Sequence, residues 1–500
     1  MEYYDTHVPN PLVKQNAFIG KTPEDRDPPS FADARPMLPE PLWESHDAHI
    51  ACYWKAWKLA FRNLRRPAPR SGFVSNFIDT AFNGCLFMWD SVFILMFGRY
   101  GARAFDFQKT LDNLYSHQHP DGFICREIDQ KTGEDRFERF DPASTGPHVM
   151  PWSEWEYFLN SGDRERLRAV FPPLLAFTQW MHKHRRWPDG GYWLSGWGCG
   201  MDNIPRLQPG YHVNFDHGQM VWIDATLQQI LANRHLIAMA QVLGRQSEVS
   251  ALQAEADALV RYVNAQLWDE TRRIYTDRWD DGRLNGIKSI AAFWALLADA
   301  APADRVRHLV AHLRNPAEFN RPHRVPSLSA DHPEYQPGGD YWRGSIWPPT
   351  NYMVLRGLTS VHEDALAHEI ALNHVDNVTR VFQDTGTLWE NYAPETPARG
   401  SLSGRDFVGW AGVPPIAVLL EYVFGLRPDA SEKRLLWDVR LLDSHGVKRY
   451  PFGADGSLDL FCAGRKNEDE EPRIEAASTM PVKLVVQWKA GEKEIQLAQQ

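Results

Sequence analysis

The stretch 220–268, MVWIDATLQQILANRHLIAMAQVLGRQSEVSALQAEADALVRYVNAQLW, decides the fold. Its first part, MVWIDATLQQILA (220–232), is apolar round most of a helical circumference, as a helix enclosed by other helices must be. A tight joint, LGRQ, follows. The second part, SEVSALQAEADALVRYVNAQLW (247–268), repeats apolar residues every three or four positions and is polar elsewhere, the pattern of a helix with one side in water. An enclosed helix doubled back on a surface helix is the building unit.

The unit recurs. Helical periodicity runs near 46–63, 89–98, 103–117, 147–160, 163–186, 219–243, 246–268, 286–300, 302–314, 348–359, 362–383 and 408–424. Even-numbered segments are the more apolar, as in SVFILMF (91–97) and PPIAVLLEYVF (414–424), and odd-numbered ones are amphipathic. Even-to-odd joints are tight: GRYGAR, SGD, LGRQ, APAD and TSVHED. Odd-to-even joints are long, at roughly 64–88, 118–146, 187–218, 269–285, 315–347 and 384–407; connections of that length are uncommon and usually functional. No strand-alternating blocks interleave, which argues against a parallel α/β sheet. These features predict an all-α fold, an (α/α)6 barrel. It is a toroid of six helical hairpins, even helices inside and odd ones outside, with all six long loops at one end. Residues 1–40, proline-rich and aperiodic, read as an N-terminal arm, and 41–428 as the helical domain. Runs such as RLLWDVRLL and VKLVVQWKA make 429–500 a small C-terminal antiparallel β appendage.

The net charge of −10 is spread without long like-charge runs, so neither nucleic acid nor a membrane is an expected partner. No 18-residue apolar run occurs, and the first residues lack the apolar centre of a signal peptide. Five cysteines, odd in number and without CxxC spacing, fit a reducing compartment. The expectation is a cytoplasmic protein with no metal and no cofactor.

Twenty tryptophans stand out, many of them in polar, glycine-rich loops. The loop GYWLSGWGCGMDNIPR (191–206) packs three aromatics, Trp197 among them, and four glycines round one carboxylate, Asp202. Tryptophan faces suit a sugar ring, and a desolvated Asp is suited to proton donation. The first loop ends in FNGCLFMWDS, where Trp89 and Asp90 are either a helix cap or a sugar-binding pair. The second, HQHPDGFICREI, offers Phe123 and Arg126 as pocket wall; His117 and His119 lack further metal ligands nearby. The fourth has Asp277, Asp280 and Asp281, which read as a solvated turn more readily than a calcium site. The fifth clusters Tyr341, Trp342, Arg343 and Trp347, and the sixth has Trp389, Glu390 and Tyr392 with Trp410 close behind. Two carboxylates in aromatic loops on one face of a toroid fit glycosidic hydrolysis: one protonates the leaving oxygen, the other handles water or the anomeric carbon. G-x-S-x-G, P-loop, Rossmann and zinc motifs are absent.

GMDN-x-PR at 200–206, YWRG-x-x-W-x-P-x-N-Y at 341–352, WENY at 389–392 and GW-x-G-x-x-P-I at 409–416 resemble glycoside hydrolase family 63. The likeness extends to its compact bacterial mannosylglycerate and glucosylglycerate hydrolases, and more distantly to trehalases of family 37. The resemblance spans about 80–424 and implies an (α/α)6 barrel and an inverting α-glycosidase. It puts the general acid on Asp202, the general base on Glu390, the sugar-binding pair on Trp89 and Asp90, and a substrate contact on Arg343. No counterpart of the N-terminal β-domain of larger members is expected in these residues. Third and sixth loops face each other across a six-hairpin ring, which leaves room for a water and also leans towards inversion. The expected substrate is a small α-glucoside or α-mannoside, a disaccharide or glycosyl-glycerate. A sugar epimerase on the same toroid would use paired histidines, and an inactive sugar-binding protein would need neither carboxylate.

Overall fold

The structure is a computed structural model that describes residues 8–499; residues 1–7 of the expected arm lie outside it. The protein is mostly helical with several small sheets. The principal helices are α1 (Asp47–Arg62), α2 (Met88–Gly98), α3 (Thr110–Ser116), α4 (Met150–Ser161), α5 (Arg164–His184) and α6 (Ile223–Leu243). They continue as α7 (Ser250–Gln266), α8 (Trp294–Leu297), α9 (Ala303–Arg314), α10 (Pro348–Ser360), α11 (Asp364–Thr385) and α12 (Val413–Val423).

The tight joints have local causes. α4 ends at Gly162, whose φ of 68° only glycine adopts freely, and Asp163 then caps α5 by accepting from the Arg166 N–H. In the quoted stretch α6 ends the same way, at Gly244 with φ 73°. Every residue of α2 and of α12 is buried, whereas α7 buries only Leu252, Ala256, Leu259 and Val263. The enclosed helices pack on one another in order: α2 on α4, α4 on α6, α6 on α8, α8 on α10, α10 on α12, and α12 back on α2. Buried charges tie this assembly together below the long loops. Arg99, just past α2, donates to Glu156 of α4 (3.1 Å) and Glu421 of α12 (2.6 Å), and the Tyr352 hydroxyl of α10 donates to Glu421 (2.8 Å).

Several elements differ from the sequence expectation. α3 covers only part of 103–117, because Phe107 fills the space left by Gly98 and Gly101 and forces tight turns first. α8 is one turn long after Ile290 bonds to Ser327. α12 is wound more widely than an α-helix; it starts on Pro414 and Pro415, which lack donors, and the Phe424 N–H reaches five residues back to Leu419.

Two four-stranded sheets are built mainly from the chain beyond α12. Their strands are β1 (Glu40–Trp43), β2 (Leu426–Asp429), β3 (Arg434–Asp438), β4 (His445–Phe452), β5 (Gly456–Cys462), β6 (Ile474–Ser478), β7 (Val482–Trp488) and β8 (Gly491–Leu497). One sheet has the order β1-β4-β5-β6 and the other β8-β7-β3-β2. β7 runs parallel to β3, so the strands are not all antiparallel; the crossover between them carries β4, β5 and β6 of the first sheet. The end of the expected arm is also a strand here, β1 pairing with β4 from Glu40↔Lys448 to Trp43↔His445. A four-residue edge strand holding Pro41 has no alternation long enough to read.

Candidate active site

One aromatic cavity of about 250 Å³ opens among the long loops. Five of the six loops line it. The stretch leading into α2 supplies Phe82, Asn83, Phe87, Trp89 and Asp90; the second loop supplies Arg126, Glu127, Arg136 and Phe137; the third supplies Trp197, Gly200 and Asp202. Tyr341, Trp342 and Trp347 come from the fifth, and Glu390, Phe407 and Trp410 from the sixth and the approach to α12.

The Asp202 loop is built residue by residue. Ser195 caps the single turn Gly196–Cys199, accepting from the Gly198 N–H at 3.0 Å. Gly200 has φ 73°, and a Cβ there would stand 3.1 Å from the Trp89 indole, so glycine lets the loop lie on Trp89. Asn203 clips this loop to the fifth: its amide donates to the Asp340 carbonyl (3.1 Å) and its oxygen accepts from the Trp342 N–H (2.7 Å). Arg206 anchors the far end. Fully buried against Trp222, it donates through both terminal nitrogens to Asp224 (2.9 and 3.0 Å) and through Nε to Asp277 (2.9 Å). The fourth loop thus contributes an anchor, Asp277, and no cavity wall.

Glu390 lines the same cavity from the sixth loop and is held at both oxygens. The Tyr341 hydroxyl donates to Oε1 (3.2 Å) and the Gly404 N–H to Oε2 (2.8 Å). Trp410 donates from its indole to the Glu390 carbonyl (2.6 Å). Ile346 and Tyr392 exchange backbone hydrogen bonds of 2.8 and 3.0 Å, which locks the fifth and sixth loops together. Trp342 and Trp347 stack face to face, 4.0 Å between centroids and 2° from parallel. The result is a flat, rigid wall.

Burial governs the ionisation. It pushes the Asp202 carboxyl up to about 7; Arg126 opposes this and the Glu390 charge adds to it. Asp90 is pushed up to about 8, by burial first and then by the charges of Glu127 and Glu390. Burial raises Glu390 too, while the Gly404 and Tyr341 hydrogen bonds favour its ionised form. One carboxyl that keeps its proton near neutrality therefore shares a cavity with one whose anion is hydrogen-bonded. That combination can donate a proton and accept one at the same bond.

Of the residues singled out from the sequence, Trp89, Asp90, Arg126, Trp197, Asp202, Tyr341, Trp342, Trp347, Glu390 and Trp410 meet at this cavity. Four others are not among the residues that line it. Phe123 is sealed beneath the second loop against Trp180 and His119. Arg343 points away, bonding to the Asn203 carbonyl (3.4 Å) beside Glu334 and Asp340. Trp389 donates to Thr385 and lies under Arg399, and Tyr392 is wholly buried near His323. Glu127, Arg136, Phe82, Asn83, Phe87, Phe137 and Phe407 escaped sequence reasoning. Glu127 alone had a signal: a second charge beside Arg126 in an otherwise apolar run.

Both ring nitrogens of His117 contact backbone carbonyls, those of Asn113 (2.8 Å) and Ser71 (2.7 Å), and His119 pairs with Asp135. Among the described residues no group of three or more His, Cys, Asp or Glu is arranged to hold a metal ion, and no helix is long and apolar enough to cross a membrane.

Comparison with known proteins gives the same direction. Residues 85–410 match the family described as the mannosylglycerate hydrolase MGH1-like glycoside hydrolase domain. The mannosylglycerate hydrolase of Thermus thermophilus is 24% identical over 355 residues, 56% of this chain and 83% of that one. A probable mannosyl-oligosaccharide glucosidase of Schizosaccharomyces pombe is 26% identical over 280 residues, 49% of this chain; this chain spans only 34% of its length. The crystal structure of the GH63 mannosylglycerate hydrolase of T. thermophilus in complex with glucose superposes with a TM-score of 0.58 at 22% identity, covering 72% of this chain and 98% of that one.

Proposed function

This chain belongs to the mannosylglycerate hydrolase MGH1-like glycoside hydrolase family, and from that membership we propose that it hydrolyses a small α-glucoside or α-mannoside with inversion. Asp202 donates the proton to the leaving oxygen, and Glu390 takes the proton of the attacking water. The observation that carries this reading is the pair itself, an acid kept protonated to about 7 and a carboxylate held at both oxygens, in one aromatic cavity. We read the enclosed helices as the inner ring of an (α/α)6 barrel, because each packs on the next and the last on the first.

Trp89 and the Trp342–Trp347 stack form the sugar platform, and the protonated Asp90 both donates to and accepts from sugar hydroxyls. A cavity of about 250 Å³ lies at the small end of ligand pockets, which run roughly 300–1,000 Å³, and so suits a disaccharide or glycosyl-glycerate better than a polymer. The cavity wall bears carboxyls and no histidine; the buried pair His323–His374, 2.7 Å apart, lies elsewhere. That supports hydrolysis over epimerisation. Five free, buried cysteines support a cytoplasmic setting.

Proton NMR of the first product from an α-linked substrate tests the mechanism. The β-anomer is expected first. Initial release of the α-anomer would make Glu390 a nucleophile and overturn the proposal.

A further inference from the structure

We propose that the Arg126–Glu127 ion pair sets the proton affinity of Asp202, so that the two are charge-setting and positioning residues for the proton donor. The proposal rests on the reading of Asp202 as that donor. Glu127 opens the short strand Glu127–Asp129, which pairs with Cys85–Phe87 in the register Phe87↔Glu127. The Met88 N–H also donates to the Arg126 carbonyl (2.8 Å). This pairing fixes Arg126 and Glu127 beside the mouth of α2, on the same cavity as Asp202.

The guanidinium has little freedom there. Nε donates to the Ala143 carbonyl (2.6 Å), Nη1 pairs with the Glu127 carboxylate (2.5 Å), and the group lies over the rings of Phe137 (4.6 Å) and Trp197 (5.9 Å). Trp197 rides on the same single turn that delivers Asp202. Glu127 is fixed in turn, its side chain 7% exposed and also bonded by Asn83. Nε and Nη1 are thus committed to protein partners, which fixes the plane and position of the guanidinium. It is a fixed positive charge on the wall of a cavity lined largely by aromatic side chains, and charges act more strongly on one another there than in bulk water.

The two charges act on Asp202 in opposite senses. Arg126 favours its anion and Glu127 its protonated form. The other titratable groups on or behind the cavity wall are Glu390, Asp90, Tyr341, Arg136 and Cys199. Glu390 works with Glu127 in raising Asp202, and Arg126, together with a backbone hydrogen bond, acts against them.

The test is the alkaline limb of kcat/KM against pH, which reports loss of the Asp202 proton, with α-mannosyl- and α-glucosyl-glycerate as probes. Glu127→Gln should move the limb down by about half a unit to one unit, and Arg126→Met should move it up by about as much. Arg126→Lys, which keeps the charge, should restore it. A merely structural role would lower kcat at every pH without moving the limb. In parallel, carbon NMR of aspartate-labelled protein follows the Asp202 carboxyl directly, identified by its loss in Asp202→Asn. If that resonance titrates as in the parent protein in both variants, or moves the same way in both, the inference is wrong. If the resonance shifts in opposite directions while the kinetic limb stays put, the ion pair acts as inferred and Asp202 is not the donor.

Discussion

Burial raises the proton affinity of both Asp202 and Asp90, and amide substitutions separate the roles proposed for them. Asp202→Asn preserves shape but cannot donate, so hydrolysis of substrates with poor leaving groups should fall by roughly 10²–10⁴ in kcat. An aryl α-glycoside with a good leaving group should be far less affected. A folded variant within about threefold of the parent on both would remove Asp202 from the mechanism. Asp90→Asn tests burial through stability. The unfolded chain gives up this proton near its ordinary value of 3.8, whereas the folded protein keeps it to about 8. Stability therefore falls as pH rises through that window, and a neutral amide escapes the loss. We expect Asp90→Asn to raise the Tm relative to the parent near pH 8 and to change it little near pH 4. Thermal unfolding at the two pH values checks this; equal effects at both would show that Asp90 is ionised in the fold.

At the level of elements, the Asp202 loop is only as well placed as its anchor. Arg206→Met would leave Asp224 and Asp277 buried without their cation, a loss of about 3–5 kcal/mol, and would free the loop that presents Asp202. Chemical denaturation should show the destabilisation, and kcat should fall even where the protein stays folded. Unchanged kcat in the folded variant would mean that the Asn203 clip alone holds the loop. This anchor shows where reading the sequence stops. Arg206 stands in a recognisable motif, but its partners come from the start of α6 and from the fourth loop, which nothing in the local pattern joins to it. The same limit explains Phe123, Arg343, Trp389 and Tyr392. A helix announces its faces by its period, whereas an irregular loop has none, so Trp342 turns inward and its neighbour Arg343 outward with no sign in the residue types. The tryptophans and carboxyls at the cavity were legible because loops that long and that aromatic seldom serve packing alone.

For the whole molecule, the order of the twelve helices was readable because enclosure and exposure leave opposite patterns. β1 was not, since its partner β4 begins about four hundred residues later. Those separations govern how the chain comes into being. Arg99 and Glu421, whose ion pair joins α2 to α12, lie 322 positions apart. At about 5–20 residues per second, a ribosome takes roughly 15–65 s to make that span, during which the apolar flank of α2 awaits its neighbour. Nascent chains arrested ahead of Val413 should thus be cut readily by added protease and held by chaperones, and chains released beyond Leu497 should resist. Protease-resistant arrested chains would show that the earlier helices stand without α12. If they do not, the cell carries each copy unfinished and exposed for most of its synthesis, and yield will depend on translation speed and chaperone supply as much as on the stability of the finished protein.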